Sequence, residues 1–563
     1  GDQRHRFRGQ CSESMSLVTN SIFLPGERLS GASVTTQNIQ AAAALADIVR
    51  TTLGPIGLDK MIIDQNADVV TTNDGATIMA MLDAEDPAAK VLVELSGLQD
   101  REVGDGTTSV VIIAAEFLRN SAELMKAKLH PTNIIQGYTH ALKKAIKFIE
   151  NYLTISTEEI EEETLLNVAR TSMSSKIISN QAELFARIIV DAMKAVKYTT
   201  AGGVTKYPVR AINILKAFGQ SSADSKLIDG FALNCVRATE AMPESVHGAK
   251  IALIDFNLQQ ERLAVGTQIL IKDPKKLEEV KAREFDITKE RIRLILDSGA
   301  NCIFTTGGID DMAQKYLVEQ GVLGIRRCDK DDLQRIARMT GGAILSTLAD
   351  LEGEEKFDEE ALGHAESVVE ERVADSKLTF IRGTAERSCG SIVLRGPNSQ
   401  MLDEVDRSVH DALCAVSKTL ESGKMVAGGG AVESALSVYL ERHAATLEGR
   451  EQMAVKAFAK ALLAIPRQLA INSALDATEL VANLRNKHAT WQKKNPSEEE
   501  LALRFTGLDL KKGEVRNNLA AGVVEPAMIK VKALSFAVEA ATTILRIDEN
   551  ITLTPAQQQQ QQR

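Results

Sequence analysis

The most constraining feature of this chain is a change of rhythm along its length. Both ends are written in alanine-rich, helix-patterned sequence, while the middle alternates short apolar runs with helices. Asn38–Leu53 (NIQAAAALADIVRTTL), Thr108–Leu124 and Pro131–Ile149 carry apolar residues at helical spacing, and Gly54-Pro55 stops the first of them. Thr154–Lys197 is helical but more charged, with Glu158–Glu163 reading as a solvated helix face and Gly202-Gly203 as a turn. From about Tyr207 to Leu345 the pattern shortens through Lys250–Phe256 (KIALIDF), Lys289–Leu296, Cys302–Thr305, Asp331–Thr340 and Ala343–Leu345. That alternation belongs to an α/β layered domain. Helical sequence returns at Asp403–Leu420, Gly430–Leu484 and Val531–Leu545, with Trp491–Glu500 expected as a polar loop. A mixed domain inserted into a helical one, with the two ends packed together, is the economical architecture.

At 563 residues the chain is too long for one ordinary core, so two or three domains are expected. Aromatic residues are only 4% of it, so Ala, Val, Ile and Leu must carry the core. The net charge of −10 argues against a nucleic-acid binder, which would show a basic face. Cys11, Cys235, Cys302, Cys328, Cys389 and Cys414 contain no C-x-x-C pair and suggest neither a zinc site nor a disulfide framework, which fits a reducing compartment. No apolar run approaches the roughly 20 residues of a membrane span, and no secretory signal is expected. Residues 1–21 and the Gln-rich 554–563 are expected to stay outside the fold.

The strongest chemical signal is Gly104-Asp105-Gly106-Thr107-Thr108-Ser109, directly before the helix VVIIAAEFL. Two glycines let backbone approach a ligand, and three hydroxyls with the free amides of a helix start can hold phosphate oxygens. Asp105 adds a carboxylate suited to Mg²⁺. The alternative is a plain helix cap by Thr107 or Asp105. No G-x-x-x-x-G-K-[ST] loop occurs, and Ser109 stands where a dinucleotide fingerprint needs its third glycine. Leu53-Gly54-Pro55-Ile56-Gly57 and Asn73-Asp74-Gly75-Ala76-Thr77 are turns, the second offering Asp74 as a further carboxylate. Gly428-Gly429-Gly430 demands a close approach, by a ligand or by another helix. Asp411, on an amphipathic helix, reads alone as a surface acid.

Taken together, LGPIG, NDGAT, GDGTTS, HDAL and GGG in this order resemble the chaperonins, specifically the group II branch and its eukaryotic cytosolic ring complex. Thr171–Lys176 (TSMSSK), Gly324–Cys328 (GIRRC), Leu351–Glu355 (LEGEE), Gly507–Leu510 (GLDL) and Ile544–Asp548 (ILRID) are similar to one subunit type of that complex. The resemblance runs from about Ile22 to Leu553. It implies a multi-domain α+β fold: a mainly helical equatorial ATPase domain (22–163 and 425–553), a small intermediate domain (164–230 and 384–424) and an α/β apical domain (231–383). The charged stretch Ile271–Ile292, by itself a plain surface helix, becomes part of a helical protrusion at about 256–292 that acts as a built-in lid.

The resemblance also implies roles. Gly54, Pro55, Gly106, Thr107, Thr108 and Ser109 would hold the phosphates, and Asp105 the Mg²⁺. Asp74 would lie near the γ-phosphate and the attacking water, which Asp411 would orient or deprotonate. Lys176 with Ser175 would sense the γ-phosphate, Gly429 and Gly507 would pack near ribose and adenine, and Glu525 would reach the ribose. ATP and Mg²⁺, with room for K⁺, are the implied cofactors. The implied partners are seven paralogous subunits in a ring of eight, two rings stacked, with actin- and tubulin-like clients and prefoldin and phosducin-like co-chaperones in the cytosol. A stand-alone ATPase or small kinase would share the phosphate loops, and a non-catalytic scaffold would show a broken site.

Overall fold

The computed structural model describes residues 26–64, 67, 69–156, 161–200, 202–228, 230–259, 274–349, 355–373, 376–384 and 389–553. The expected extension 1–21, the tail 554–563, residues 158–160 of the charged face, 351–354 of LEGEE and 260–273 of the protrusion lie outside them.

The helical ends do pack together. The first half supplies α1 (Ala32–Val49), α2 (Gly75–Met81), α3 (Pro87–Val103), α4 (Thr107–Lys126) and α5 (Pro131–Phe148). After them come α6 (Glu162–Met173), α7 (Ala182–Ala195), α8 (Pro274–Asp297), α9 (Asp311–Glu319), α10 (Lys330–Thr340) and α11 (Ser399–Ser422). The second half returns with α12 (Ala431–Ala444), α13 (Glu451–Leu462), α14 (Ala464–Asn472), α15 (Ala477–Trp491), α16 (Glu498–Ala502) and α17 (Ala527–Leu545). One apolar core joins helices from both halves. At its centre Phe117 of α4 and Tyr138 of α5 meet Phe458 of α13, with the two phenylalanine rings stacked 4.5 Å apart. The strand Gly26–Ser30 pairs antiparallel with Glu549–Leu553, so the ends of the described chain are zipped to each other.

A second core joins α6, α7 and α11 to the mixed middle. There the strands run in the order Leu323–Ile325, Cys302–Thr305, Ser245–Ile254, Gly363–Val373, Ser376–Thr384 and Phe231–Leu233, with Ile344–Leu345 paired to Ser245–Ile254. The first three pair in parallel and the remaining pairs along the path are antiparallel. A smaller sheet of Ile212–Phe218, Gly390–Gly396 and Lys226–Ile228 lies against α11. The junctions expected at 163/164, 383/384 and 424/425 fall inside α6 and the strands Ser376–Thr384 and Lys424–Ala427. Continuous elements, not loops, carry the chain across them.

Two expectations need correction. Thr154–Lys197 is not helical throughout, because Ile155–Ser156 adds a strand to Lys424–Ala427. Trp491–Glu500 is not simply a loop: α15 reaches Trp491, and Ser497 with Glu500 forms a reciprocal capping box that starts α16. The Ser-x-x-Glu signature was present in the sequence.

Trp491 also marks a pH-sensitive point in the helical core. Its Nε1 donates to His488 Nδ1 at 2.9 Å, leaving the His488 proton on Nε2, 3.0 Å from the Thr506 carbonyl. Burial pushes this imidazole down to about 4, from its ordinary 6.5. The unfolded ring takes up a proton below its ordinary pKa while the folded one resists it, so stability falls as pH drops through that window. The loss should approach about 3 kcal/mol by pH 4, given 1.36 kcal/mol per pKa unit. Denaturant titrations from pH 7 to 4 should show this slope, and His488→Gln should flatten it; an equal slope in both proteins would contradict it.

Candidate active site

The loop at Gly104–Ser109 joins α3 to α4. Helix α3 begins at the Asp86 cap with Pro87 in its first turn and ends at Gly104, whose φ of 77° is left-handed. Gly106, φ 78°, stands at the head of α4, where no side chain caps the helix. The plain-cap alternative is therefore not what forms: the first amides of α4 have no side-chain cap, an arrangement able to accept an anion. Asp105 instead folds back, its Oδ1 accepting from the Gly106 amide at 2.6 Å and its Oδ2 from Ser172 Oγ at 3.3 Å. A Cβ on Gly104 would lie 2.4 Å from Cys414 Cβ, so α11 is laid directly on the loop.

Asp74 caps α2. Its carboxylate accepts from Ala76 N, Thr77 N and Thr77 Oγ1, and from Thr107 Oγ1 at 3.1 Å. Gly75 faces Thr108: an added Cβ would stand 2.5 Å from Thr108 Oγ1. The NDGAT turn and the GDGTTS loop are thus one packed unit.

Asp411 is not a surface acid. It is 8% exposed, because α11 is covered by α6 and α7 as well as by the loop. Its Oδ2 accepts from Lys176 Nζ at 2.9 Å, across 235 residues of sequence. Lys176 is the cation shared by several acids: burial opposes its charge, but Asp411, Asp74 and Glu404 hold it firmly protonated. Burial likewise works against the Asp74 carboxylate, yet Lys176 and the Thr77 hydrogen bonds keep it below the usual carboxylate range. Burial pushes Asp105 up, aided by Glu525 and opposed by Lys176. Asp411 is raised well above its ordinary value by burial, with Asp74 and Asp105 adding to the effect against Lys176. One ammonium thus serves three aspartates, two of them buried.

Beside this cluster opens a cavity of ≈ 550 Å³, a volume that suits a small organic ligand. Of the residues singled out in the sequence, Gly54, Pro55, Asp105, Gly106, Ser109, Ser175, Gly429 and Glu525 line it. Asp74, Thr107, Thr108, Lys176 and Asp411 are not among its lining residues; Asp74 meets the loop through Thr107, and Lys176, next to the lining Ser175, holds Asp411. Gly507 does not line the cavity either. There its missing Cβ makes room for Asn518, which donates to the Gly428 carbonyl at 2.9 Å and braces the three-glycine turn. Asn518 carried no motif and was missed. So was Lys530, a largely covered cation that grips Glu433 at 2.9 Å and Glu525 at 2.7 Å and so fixes Glu525 at the cavity. Asp509 lines the cavity as well, paired to Arg516 at 2.8 Å.

Residues 45–555 match the sequence profile of the TCP-1/cpn60 chaperonin family. The chain is 54% identical over 545 residues to T-complex protein 1 subunit alpha of Arabidopsis thaliana, covering 97% of this chain and 99% of that one. It is 52% identical over 538 residues to the same-named protein of Dictyostelium discoideum, covering 96% and 97%. It is 40% identical over 528 residues to a thermosome subunit of Methanopyrus kandleri, covering 93% of each.

Removing the cation should strand the acids. Lys176→Met is expected to cost about 3–5 kcal/mol of folding stability, the usual penalty for leaving a buried charge unpaired. The double change Lys176→Met with Asp411→Leu should recover much of that loss in a double-mutant cycle. Simple additivity of the two single changes would contradict the pairing.

Proposed function

The chain belongs to the TCP-1/cpn60 chaperonin family and is an ATP-hydrolysing group II chaperonin subunit; on that premise we propose that the cavity beside Gly104–Ser109 is its ATP site. The observation that carries this is the meeting of the uncapped α4 start with Asp74, Asp105, Lys176 and Asp411, drawn from three distant parts of the chain. The α4 amides with Thr107, Thr108 and Ser109 would take the phosphates, and Gly54-Pro55, which lines the same cavity, would wrap them. Gly429, with Gly507 behind it, would lie against ribose and adenine, and Glu525, steadied by Lys530, would reach the ribose hydroxyls.

Mg²⁺ fits these residues. Among the described residues no group of three His, Cys, Asp or Glu forms a ready-made metal cage. Asp105 at the phosphate loop is the kind of single carboxylate that takes Mg²⁺ together with nucleotide oxygens. When bound with ATP, the ion would neutralise phosphate charge beside a cluster in which three aspartates share one lysine. K⁺ would serve as a second such counter-ion.

In the protein as it stands, Lys176 occupies Asp411. A γ-phosphate reaching the loop would compete for Lys176 and Ser175. Release of Asp411 from the ammonium would leave its carboxylate to orient and deprotonate water, with Asp74 beside it. Its raised proton affinity suits a base. Because α11 also packs on α6 and α7, movement of that helix would gate hydrolysis.

The chain would divide into an equatorial domain at 22–163 with 425–553, an intermediate domain at 164–230 with 384–424, and an apical domain at 231–383 whose protrusion at about 256–292 closes as a lid. No helix among the described residues is long and apolar enough to cross a membrane. The assembly is a hetero-oligomeric ring chaperonin. We place it in the cytosol as a pair of stacked eight-membered rings with seven paralogues, folding actin- and tubulin-like clients with prefoldin and phosducin-like co-chaperones.

Rings carrying Asp411→Ala in this subunit should bind ATP but hydrolyse it about 10²–10⁴-fold more slowly there, the usual contribution of a positioned base. Single-turnover hydrolysis attributable to this subunit measures it, and an unchanged rate would sink the assigned role.

A further inference from the structure

The cysteines showed no pairing motif in sequence, but the mixed sheet brings two of them together. Phe231–Leu233 and Leu323–Ile325 are opposite edges of that sheet. Beyond Leu233 the chain crosses to the far edge, where Arg237 bridges Ile325 in antiparallel register and the Ala238 amide donates to the Gly324 carbonyl at 2.8 Å. Continuing that register sets Cys235 opposite Arg327, and the Cys235 thiol donates weakly to the Arg327 carbonyl at 3.9 Å. Arg327 holds a left-handed φ of 57°, unusual for a residue with a side chain, and the next residue is Cys328. Cys328 thus follows directly on the residue that the Cys235 thiol touches, and the two thiols lie close enough to shift each other's proton affinity. The crossing segment is pinned: the Arg237 amide donates to Glu370 at 2.9 Å, and Thr379 Oγ1 donates to the Cys235 carbonyl at 2.7 Å.

The two sulfurs differ. Cys235 is partly exposed and Cys328 is buried. The neighbouring Cys328 lowers the Cys235 thiol, outweighing its burial and the charges of Asp332 and Asp329. Cys328 is raised, by Cys235 in turn and by burial. Cys302 and Cys414 are raised by burial. Cys235 thus favours its thiolate where Cys302, Cys328 and Cys414 resist theirs, and the thiolate is the form that reacts with oxidants.

We infer that Cys235 and Cys328 form a peroxide-responsive dithiol, with partly exposed Cys235 oxidised first and Cys328 closing a reversible disulfide where the crossing segment meets the Leu323–Ile325 edge of the sheet. The Cys235 thiolate attacks one oxygen of hydrogen peroxide, forming an S–O bond, breaking the O–O bond and releasing hydroxide, which takes a proton to become water. The Cys328 sulfur then attacks Cys235 sulfur, the S–S bond forms, the S–O bond breaks, and a second water leaves with the Cys328 proton. The two thiols lose two electrons and the peroxide gains them. A dithiol reductant reverses the step.

The test is peptide mapping of the assembled complex after hydrogen peroxide, alkylation and digestion without reductant. The expected result is a Cys235–Cys328 cross-linked peptide pair that disappears after dithiothreitol. Cys328→Ser should lose the cross-link and gain a dimedone adduct at Cys235. Two alkylated free thiols after peroxide would overturn the inference, as would a disulfide from Cys235 to another subunit. The unmutated complex alone decides this, so a variant that fails to fold does not block the answer.

Discussion

Lys176 is the interaction on which the site depends. Its ammonium lies 2.9 Å from Asp411 and within the field of Asp74, Asp105 and Glu404. These acids come from the turn before α2, the α3–α4 loop and α11, elements that have no local reason to meet. Buried like charges repel strongly, and a single lysine cannot neutralise them all. The arrangement is stable enough to form, yet it remains electron-rich where a polyphosphate with its counter-ion would dock. Binding would then rearrange partners already present.

The position of α11 turns that chemistry into communication. Gly104 has no Cβ, and α11 rests where one would be. The same helix is buried against α6, α7 and the small sheet of Ile212–Phe218, and that sheet adjoins the strand Phe231–Leu233. The Asn73 amide even reaches the buried Glu404 of α11 at 3.5 Å. A shift at the phosphate loop therefore has a continuous packed route into the mixed middle of the chain, without passing through a flexible linker.

Much of this was legible in the sequence, for identifiable reasons. Glycine turns and short acidic motifs are local, so GDGTTS, NDGAT and GGG could be read directly, and the rhythm change marked the inserted middle. Burial by distant elements was not legible. Asp411 looked like a surface acid because one face of α11 is polar; that face is covered by groups far away in sequence. Lys530 lies only five residues from Glu525, but its other partner, Glu433, is on α12. Asn518 is a single amide whose value lies in what it braces. Such residues acquire meaning from tertiary partners, and no spacing rule announces them. Trp491–Glu500 is a different case, because its capping box is local and written in the sequence as Ser497 and Glu500.

The most direct test is an image of the assembled ring trapped with ADP and aluminium fluoride, a mimic of the transferring phosphoryl group. The account predicts nucleotide in the cavity bounded by Gly54, Gly106 and Gly429, the fluoride group at the α4 start, Lys176 turned toward it, and the Asp411 carboxylate facing it through a water. Nucleotide bound elsewhere, or Asp411 still clasped by Lys176 with the fluoride group in place, would contradict the account.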